Sequence, residues 1–448
     1  MKLTRFMSSS KQKIITTTWR GLNLLPSAGE GEYSSCVGVT TTFAPKLLIA
    51  DGYTADGTVF SSPQAIYSSS AGLVLVAGGK LYLDGVEKLS GLSAGRKSII
   101  EFHGKICVFP DKKYITASGG SGNIGNGSVY PAAGSCPDID CACVHDNRVW
   151  GAKGSSIYAC ALGDVSDWTT FVDEYGNPDE GGAYAVDVAS AGDFVCCYPH
   201  LGHVIFFKAN AMHEMYGTTP SKFQLVEPVN TGCISSYGAG AIYSSLYYIA
   251  HEGIMRYAGS TPALVSAAIS PFPLGGEEGC ACVDKRNYYA HVGGKVYVYD
   301  MYTNLWSVLL EGDVAAMAYH EGELCVLMAS GQLRRYSESG SVFEDWHVET
   351  PDIYAARDIE GGFMSLKTVN KLDIRAELNE NSTLKILISV DGGEFIEHLT
   401  IERDYSDRTV YSKRIHIPKC TFFKMRLEGK GKAIIHELNR TVLYGRDL

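Results

Sequence analysis

No stretch of this sequence is long and apolar enough to span a bilayer as a helix. The basic opening that carries Lys2, Arg5, Lys11, Lys13 and Arg20 holds no apolar run of signal-peptide length. The expectation is a soluble, unsecreted protein without a membrane segment. Charged residues make up only 20% of the chain, and patterns of long amphipathic helices are scarce, which argues against a helical bundle or coiled coil. Nucleophile elbows, phosphate-binding loops and His-Glu-x-x-His helices are all missing. Nothing therefore marks a serine hydrolase, a nucleotide-binding enzyme or a zinc protease.

Glycine and tyrosine are abundant instead, at 49 and 27 of 448 residues. That balance suits many short strands joined by tight turns. The length exceeds one ordinary core and fits a large closed β architecture plus a second domain. Thirteen cysteines form an odd set without an export signal, so they read as reduced thiols rather than a disulfide framework. Charge is unevenly placed. From Lys367 onward there are 15 basic and 12 acidic residues, against 24 and 37 before it, giving an acidic body near −13 and a basic end near +3. An acidic surface repels nucleic acid.

Paired strands with glycine or Asn/Asp turns recur along the chain. One unit runs from Cys141 to Cys160, with turns at Asp146-Asn147 and Gly154-Ser155. Another runs from Cys280 to Asp300 and on through Trp306. Weaker copies begin near Ala65, Ser98, Val186, Cys233 and Val314. About seven units spaced like four-stranded blades predict a β-propeller, whose radial closure protects its edges. After Gly361-Gly362 the texture changes to longer alternating runs, such as Thr383–Val390 and Phe422–Leu427, as expected for a small antiparallel sandwich with one wet face. The expected division is an N-terminal arm and first strands over 1–60, the propeller over 61–360, and the sandwich over 361–448.

Candidate chemistry is thin. Cys141/Cys143 and Cys280/Cys282 could hold zinc or an iron-sulfur centre. A one-residue gap, however, puts both sulfurs on one strand face, and the first strand of a blade needs small buried side chains. Core packing is the preferred reading. His200, His203 and His213 lie near Cys196 and Cys197, and Glu174, Asp179 and Glu180 crowd one loop; they read as local hydrogen-bonding groups and a solvated acidic loop. Ser389-Val-Asp-Gly-Gly-Glu-Phe395 resembles the aspartate box of sialidase propellers without its tryptophan, and Asp391 with Gly392-Gly393 reads better as a hairpin turn. No catalytic, metal or cofactor-binding residue is assigned, and no cofactor is expected.

Trp19-Arg-Gly-Leu-Asn-Leu-Leu-Pro26, blades of the type Gly78-Gly-Lys-Leu-Tyr82 and Val296-Tyr-Val-Tyr-Asp300, and the closing segment Val390-Asp-Gly-Gly-Glu-Phe395 together resemble the tail nozzle (tail-hub) proteins of short-tailed bacteriophages. The resemblance implies a non-enzymatic virion component assembled in the host bacterial cytoplasm. It implies a ring of subunits, typically six, below the portal adaptor, with adaptor or head-completion protein and tail fibre or tip proteins as neighbours and DNA in passage. The rival readings are a receptor- or glycan-binding propeller, for which Tyr175, Tyr198, Tyr216 and Trp346 offer aromatics near turns, and a polysaccharide-acting propeller enzyme.

Overall fold

A computed structural model describes residues 10–118, 120–124, 136–271, 279–354, 365–402 and 409–444. Lys2, Arg5 and Gly361-Gly362 lie outside them. Among the described residues there is no α-helix, only two single 3₁₀ turns, and the strands form seven four-stranded sheets plus two larger ones.

Each four-stranded sheet is an antiparallel meander. The first blade is Pro63–Ser69, Gly72–Ala77, Lys80–Leu83 and Val86–Leu89. The first strands of the other six are Ser98–Phe102, Cys141–His145, Phe194–His200, Gly240–Ile242, Cys280–Val283 and Val314–His320. First strands of neighbouring blades touch, those of the fourth and fifth through the Ala241 N–H donated to the Tyr198 hydroxyl, and that of the seventh blade touches that of the first, so the ring closes. Closure is made by pairing across the sequence: the outermost strand of the seventh blade is Tyr53–Val59, laid antiparallel on Gln332–Tyr336. The turns follow the residues that favour them. Asp146 and Asn147 both take positive φ between paired strands, as do Gly293 and Gly294, the conformation of the two-residue turn that matches strand twist.

The repeats read from sequence coincide with blades, with two shifts. The unit placed near Val186 begins at Phe194, because Tyr184–Asp187 is the outer strand of the third blade, reached after a long insertion from Cys160. The unit near Cys233 starts its first strand at Gly240.

The sandwich departs further from expectation. One sheet orders Val39–Thr40, Leu47–Ile49, Ala433–Tyr444, Lys367–Leu378 and Val410–Arg414, with Ser10–Thr16 also paired to Ala433–Tyr444; the other orders Ser35–Val37, Trp346–Glu349, Phe423–Lys430, Thr383–Val390 and Ile396–Glu402. Strands from residues 10–49 and 346–349 thus belong to it, so the sandwich takes in strands from the stretch expected as an arm and first strands over 1–60 and from the end of the stretch 61–360, beside those of 361–448. The N-terminal strands supply the edges that a C-terminal set alone would leave open.

A continuous buried cluster joins the bodies. It runs from Val348, Ile386, Met425 and Leu438 of the sandwich through Trp19 and Leu22 to Tyr247, Tyr288, Tyr299 and Trp306 of the fifth and sixth blades. The Trp19–Pro26 segment is the seam. Leu22 N–H donates to the carbonyl of Trp306 and Leu24 N–H to that of Ala268, while Trp19 N–H donates to Pro45. Gly21 sits at φ +75 with the Trp306 carbonyl 2.6 Å from where a Cβ would stand, so only glycine permits this approach.

Divided by sheet membership, the charge contrast sharpens. Residues 50–345 carry 17 basic and 31 acidic side chains, and the remainder 22 and 18. The propeller stands at −14 and the sandwich portion at +4.

Candidate functional site

Four places concentrate polar or reactive groups: the first strands of the blades, the propeller axis, a buried cluster between the fourth and fifth blades, and a cleft at the junction with the sandwich.

Cys141 and Cys143 point into one apolar cluster with Cys197, Trp150 and Phe206 between the third and fourth blades. All thirteen cysteines are free; twelve are buried and Cys282 is half-buried. A hydrogen bond with Cys197 and then burial hold the Cys141 thiol well above its usual range, burial does the same to Cys197, and burial pushes Cys280 up to about 12. Thiols held protonated are poor nucleophiles and poor ligands. Among the described residues no group of three or more His, Cys, Asp or Glu stands together to hold a metal.

At one end of the axis a clasp crosses the ring. Arg96, just before the first strand of the second blade, donates through Nη1 to the carbonyl of Gly279 (3.0 Å), at the entrance to the sixth blade. Its guanidinium lies 5.2 Å from the Tyr237 ring centroid, and the Tyr237 hydroxyl donates to the carbonyl of Lys97. Second and sixth blades face each other across a seven-fold ring, so these bonds bridge the bore.

Between the fourth and fifth blades, the Glu214 carboxylate accepts hydrogen bonds from the hydroxyls of Tyr216 (2.6 Å) and Tyr257. The His203 ring stacks on Tyr216 at 4.3 Å, and the His200 ring lies 6.0 Å from Tyr257. Burial lowers the pKa of both histidines and, with the Glu214 contact behind it, pushes Tyr216 up to about 12. His213 stands apart, bonded to the Ser190 hydroxyl at 2.9 Å. The sequence grouping of the three histidines therefore splits into a pair around Glu214 and a single side chain elsewhere. His200, His203, Glu214 and Tyr257 are buried and only Tyr216 reaches the surface, at 38% exposed, which favours a packing role.

The acidic loop is ordered by its own turns. Asp173 accepts from the backbone of Tyr175 and Asn177, Asp179 from Gly181, and Glu180 from Ser221. Buried Arg148 donates to the carbonyls of Cys160, Gly182 and Glu180, so the loop is anchored by a cation beneath it. Asp391 and Gly392 take positive φ in a hairpin joining Thr383–Val390 to Ile396–Glu402, and Asp391 Oδ1 accepts from Thr421 and Phe422. Of the aromatics expected near turns, Tyr175 is 80% exposed, Tyr216 serves the Glu214 cluster and Tyr198 accepts from the backbone of Ala241. Trp346 is a correction: it is 1% exposed and fills the sandwich core, because its strand pairs inside the sheet.

The cleft, about 840 Å³, lies between the sixth and seventh blades, the N-terminal strands and the last strand of the chain, and is lined among others by Asp284, Asn287, Tyr289, Tyr319, Ser307 and Lys432. Asp284 shapes its wall, accepting from the backbone of Arg286 and Asn287, from Asn287 Nδ2 (3.0 Å) and from the Tyr289 hydroxyl (2.8 Å). Lys432 pairs with Asp51 at 2.9 Å. Ser307 is fully buried, and its Oγ has no hydrogen-bond partner.

No family model and no curated protein matches this sequence. Among solved structures it is similar to BamB from Moraxella catarrhalis, at 8% identity over 69% of this chain and 96% of that one, with a TM-score of 0.38. It is also similar to the Neurospora crassa Pan2 WD40 domain, at 8% identity over 63% and 91%, with a TM-score of 0.38. The N-terminal domain of Nup159 aligns at 8% identity over 71% of this chain and 98% of that one, with a TM-score of 0.36. The propeller rests on the sheet topology described above.

The cleft escaped the sequence reading. Its residues come from positions 39–51, 284–338 and 432–434, and no spacing within any one stretch signals that they meet. The pattern Asp284-x-x-Asn287-x-Tyr289 looks like an ordinary turn until the neighbouring strands are placed beside it.

Proposed function

We propose that this protein is a structural, non-catalytic subunit of a bacteriophage tail that assembles into a ring around the path of DNA below the portal adaptor. The observation that carries the reading is the seam. Trp19–Pro26, part of the resemblance to tail nozzle proteins, is the strip that fastens the propeller to the sandwich, as expected of a rigid two-body wall element. The charge division supports it. An acidic propeller offers few of the phosphate contacts that dominate nonspecific DNA affinity, and bodies of opposite sign allow head-to-tail contacts in a closed ring. The axial clasp of Arg96 and Tyr237 spans the propeller's own bore, so on this reading the DNA channel is the space enclosed by several subunits.

Electron microscopy of the assembled particle tests the proposal, with a closed ring of about six copies expected; one copy per particle overturns it. A second measurement addresses the wall. The purified ring should not retain duplex DNA at low salt, where attraction between charges is least screened. Binding that weakens steeply as salt rises would reject a non-adhesive channel, and repeating it on a chain lacking residues 1–20 separates the basic terminal cluster from the wall.

A further inference from the structure

We propose that the junction cleft binds an uncharged saccharide, a ligand role independent of the ring assembly proposed above. Its volume, about 840 Å³, lies within the range of small-molecule sites, roughly 300–1,000 Å³, and suits one or two sugar rings.

Charge selects against other ligand classes. The ionisable lining groups are Lys46, Asp51, Asp284, Glu338 and Lys432. Lys432 and Asp51 pair with each other, and the Asp284 oxygens already accept from four donors. That leaves Lys46 and Glu338, one charge of each sign, so no pair of cations stands in the lining for a phosphate or sulfate and no pair of open carboxylates for a divalent cation.

The uncharged groups fit a polyol. The lining carries the Tyr289 and Tyr319 rings and that of Phe43, which is 64% exposed. Arg286 lies over the Tyr302 ring, itself 61% exposed, at 5.4 Å and donates to the carbonyl of Thr42, next to Phe43, which ties a further exposed ring to the Phe43 turn. Flat faces of this kind match the C–H face of a pyranose ring. In the floor, the Ser307 hydroxyl lacks a partner although fully buried, a costly arrangement unless a group entering the cleft completes it. A sugar hydroxyl both donates and accepts, as does Ser307.

The test uses the full chain with glucose, galactose and N-acetylglucosamine as probes, each at about 10 mM, a concentration that detects millimolar affinity, read by saturation-transfer NMR and by titration. At least one sugar should bind. Ser307→Ala should weaken it about tenfold while leaving thermal stability unchanged or raised, since the change removes a buried hydroxyl without a partner. Phe43→Ala, at an exposed position, should weaken it about fivefold. Silence from all three sugars overturns the proposal, as does unchanged affinity in both variants. Capture of the cleft by a peptide segment of a neighbouring tail protein or of a second copy, seen by cross-linking from Lys46, also overturns it.

Discussion

The propeller and the sandwich solve the same problem, hiding strand edges, in opposite ways. Six of the seven blades are built from strands consecutive in sequence, and only the closing blade borrows a strand from far away, Tyr53–Val59. Both sandwich sheets, by contrast, interleave the two ends of the chain, so that Ser10 pairs with Tyr444 and Cys36 with Val348. Local pairing needs little loop closure, whereas end-to-end pairing requires nearly the whole chain to be in place. The strand pairings of the propeller need no residue beyond Tyr336, whereas those of the sandwich need the last strand of the chain.

The most severe way to break this comparison is to delete residues 1–49. The sandwich loses four strands and the seam, while every blade keeps all its strands. Limited proteolysis of the truncated chain is expected to degrade residues 346–444 rapidly and leave a resistant fragment near 50–345. A protected C-terminal region in that chain would show that the sandwich does not depend on the N-terminal strands.

A narrower cut reaches the same join through one ion pair. Arg440 is fully buried, donates to Thr16 Oγ1 at 3.0 Å and pairs with half-exposed Glu30. Glu30→Ala leaves a buried cation short of a partner and should cost about 2–3 kcal/mol in denaturant unfolding. Arg440→Met leaves only an exposed carboxylate and should cost less. Equal costs would mean that the pair contributes through packing rather than charge.

Acid should sharpen the contrast. Burial lowers the pKa of His200, His203 and His213 in the fourth blade, and of His347 and His398 in the sandwich. A histidine with a depressed folded pKa contributes stability that is present above its unfolded value, about 6.5, and is lost as pH falls below it. The urea midpoint should therefore drop between pH 7 and pH 5. Replacing the three propeller histidines with glutamine should remove the larger part of that drop, and an unchanged slope would place the acid sensitivity in the sandwich. The lowered carboxylates, such as Asp111 beside Lys97, act only below about pH 4.

The smallest expected effect concerns the first strands. Replacing Cys141 and Cys143 together with alanine should destabilise by about 1–2 kcal/mol through small cavities, with no metal lost on elemental analysis. Stoichiometric zinc or iron disappearing with the thiols would contradict their role as packing residues.

Legibility in the sequence follows the same division. The Cys141 and Cys280 units were readable because strand, turn and return strand lie within about twenty residues of one another, and the Asp391-Gly392 turn was readable for the same reason. Thr383–Val390 even matched at both ends. Ser10–Thr16 and Tyr53–Val59 were not assigned to their sheets, since nothing in a strand's own residues says which distant edge it will cover. Trp346 looked like a turn aromatic because its strand is only four residues long. The cleft required three separate stretches to meet and left no periodic trace.

The nested pairings also set a timetable for biosynthesis. The closure of Tyr53–Val59 on Gln332–Tyr336 lies wholly inside that of Ser10–Thr16 on Ala433–Tyr444. As the chain leaves the ribosome, the blades form in order, the ring latches once residue 336 emerges, and the first strand waits for the last. At about 5–20 residues per second that wait is on the order of tens of seconds, during which Ile14 and Ile15 have no sheet to join. A nascent chain interrupted before residue 433 would hold every blade strand and leave Ser10–Thr16 without the strand it pairs with.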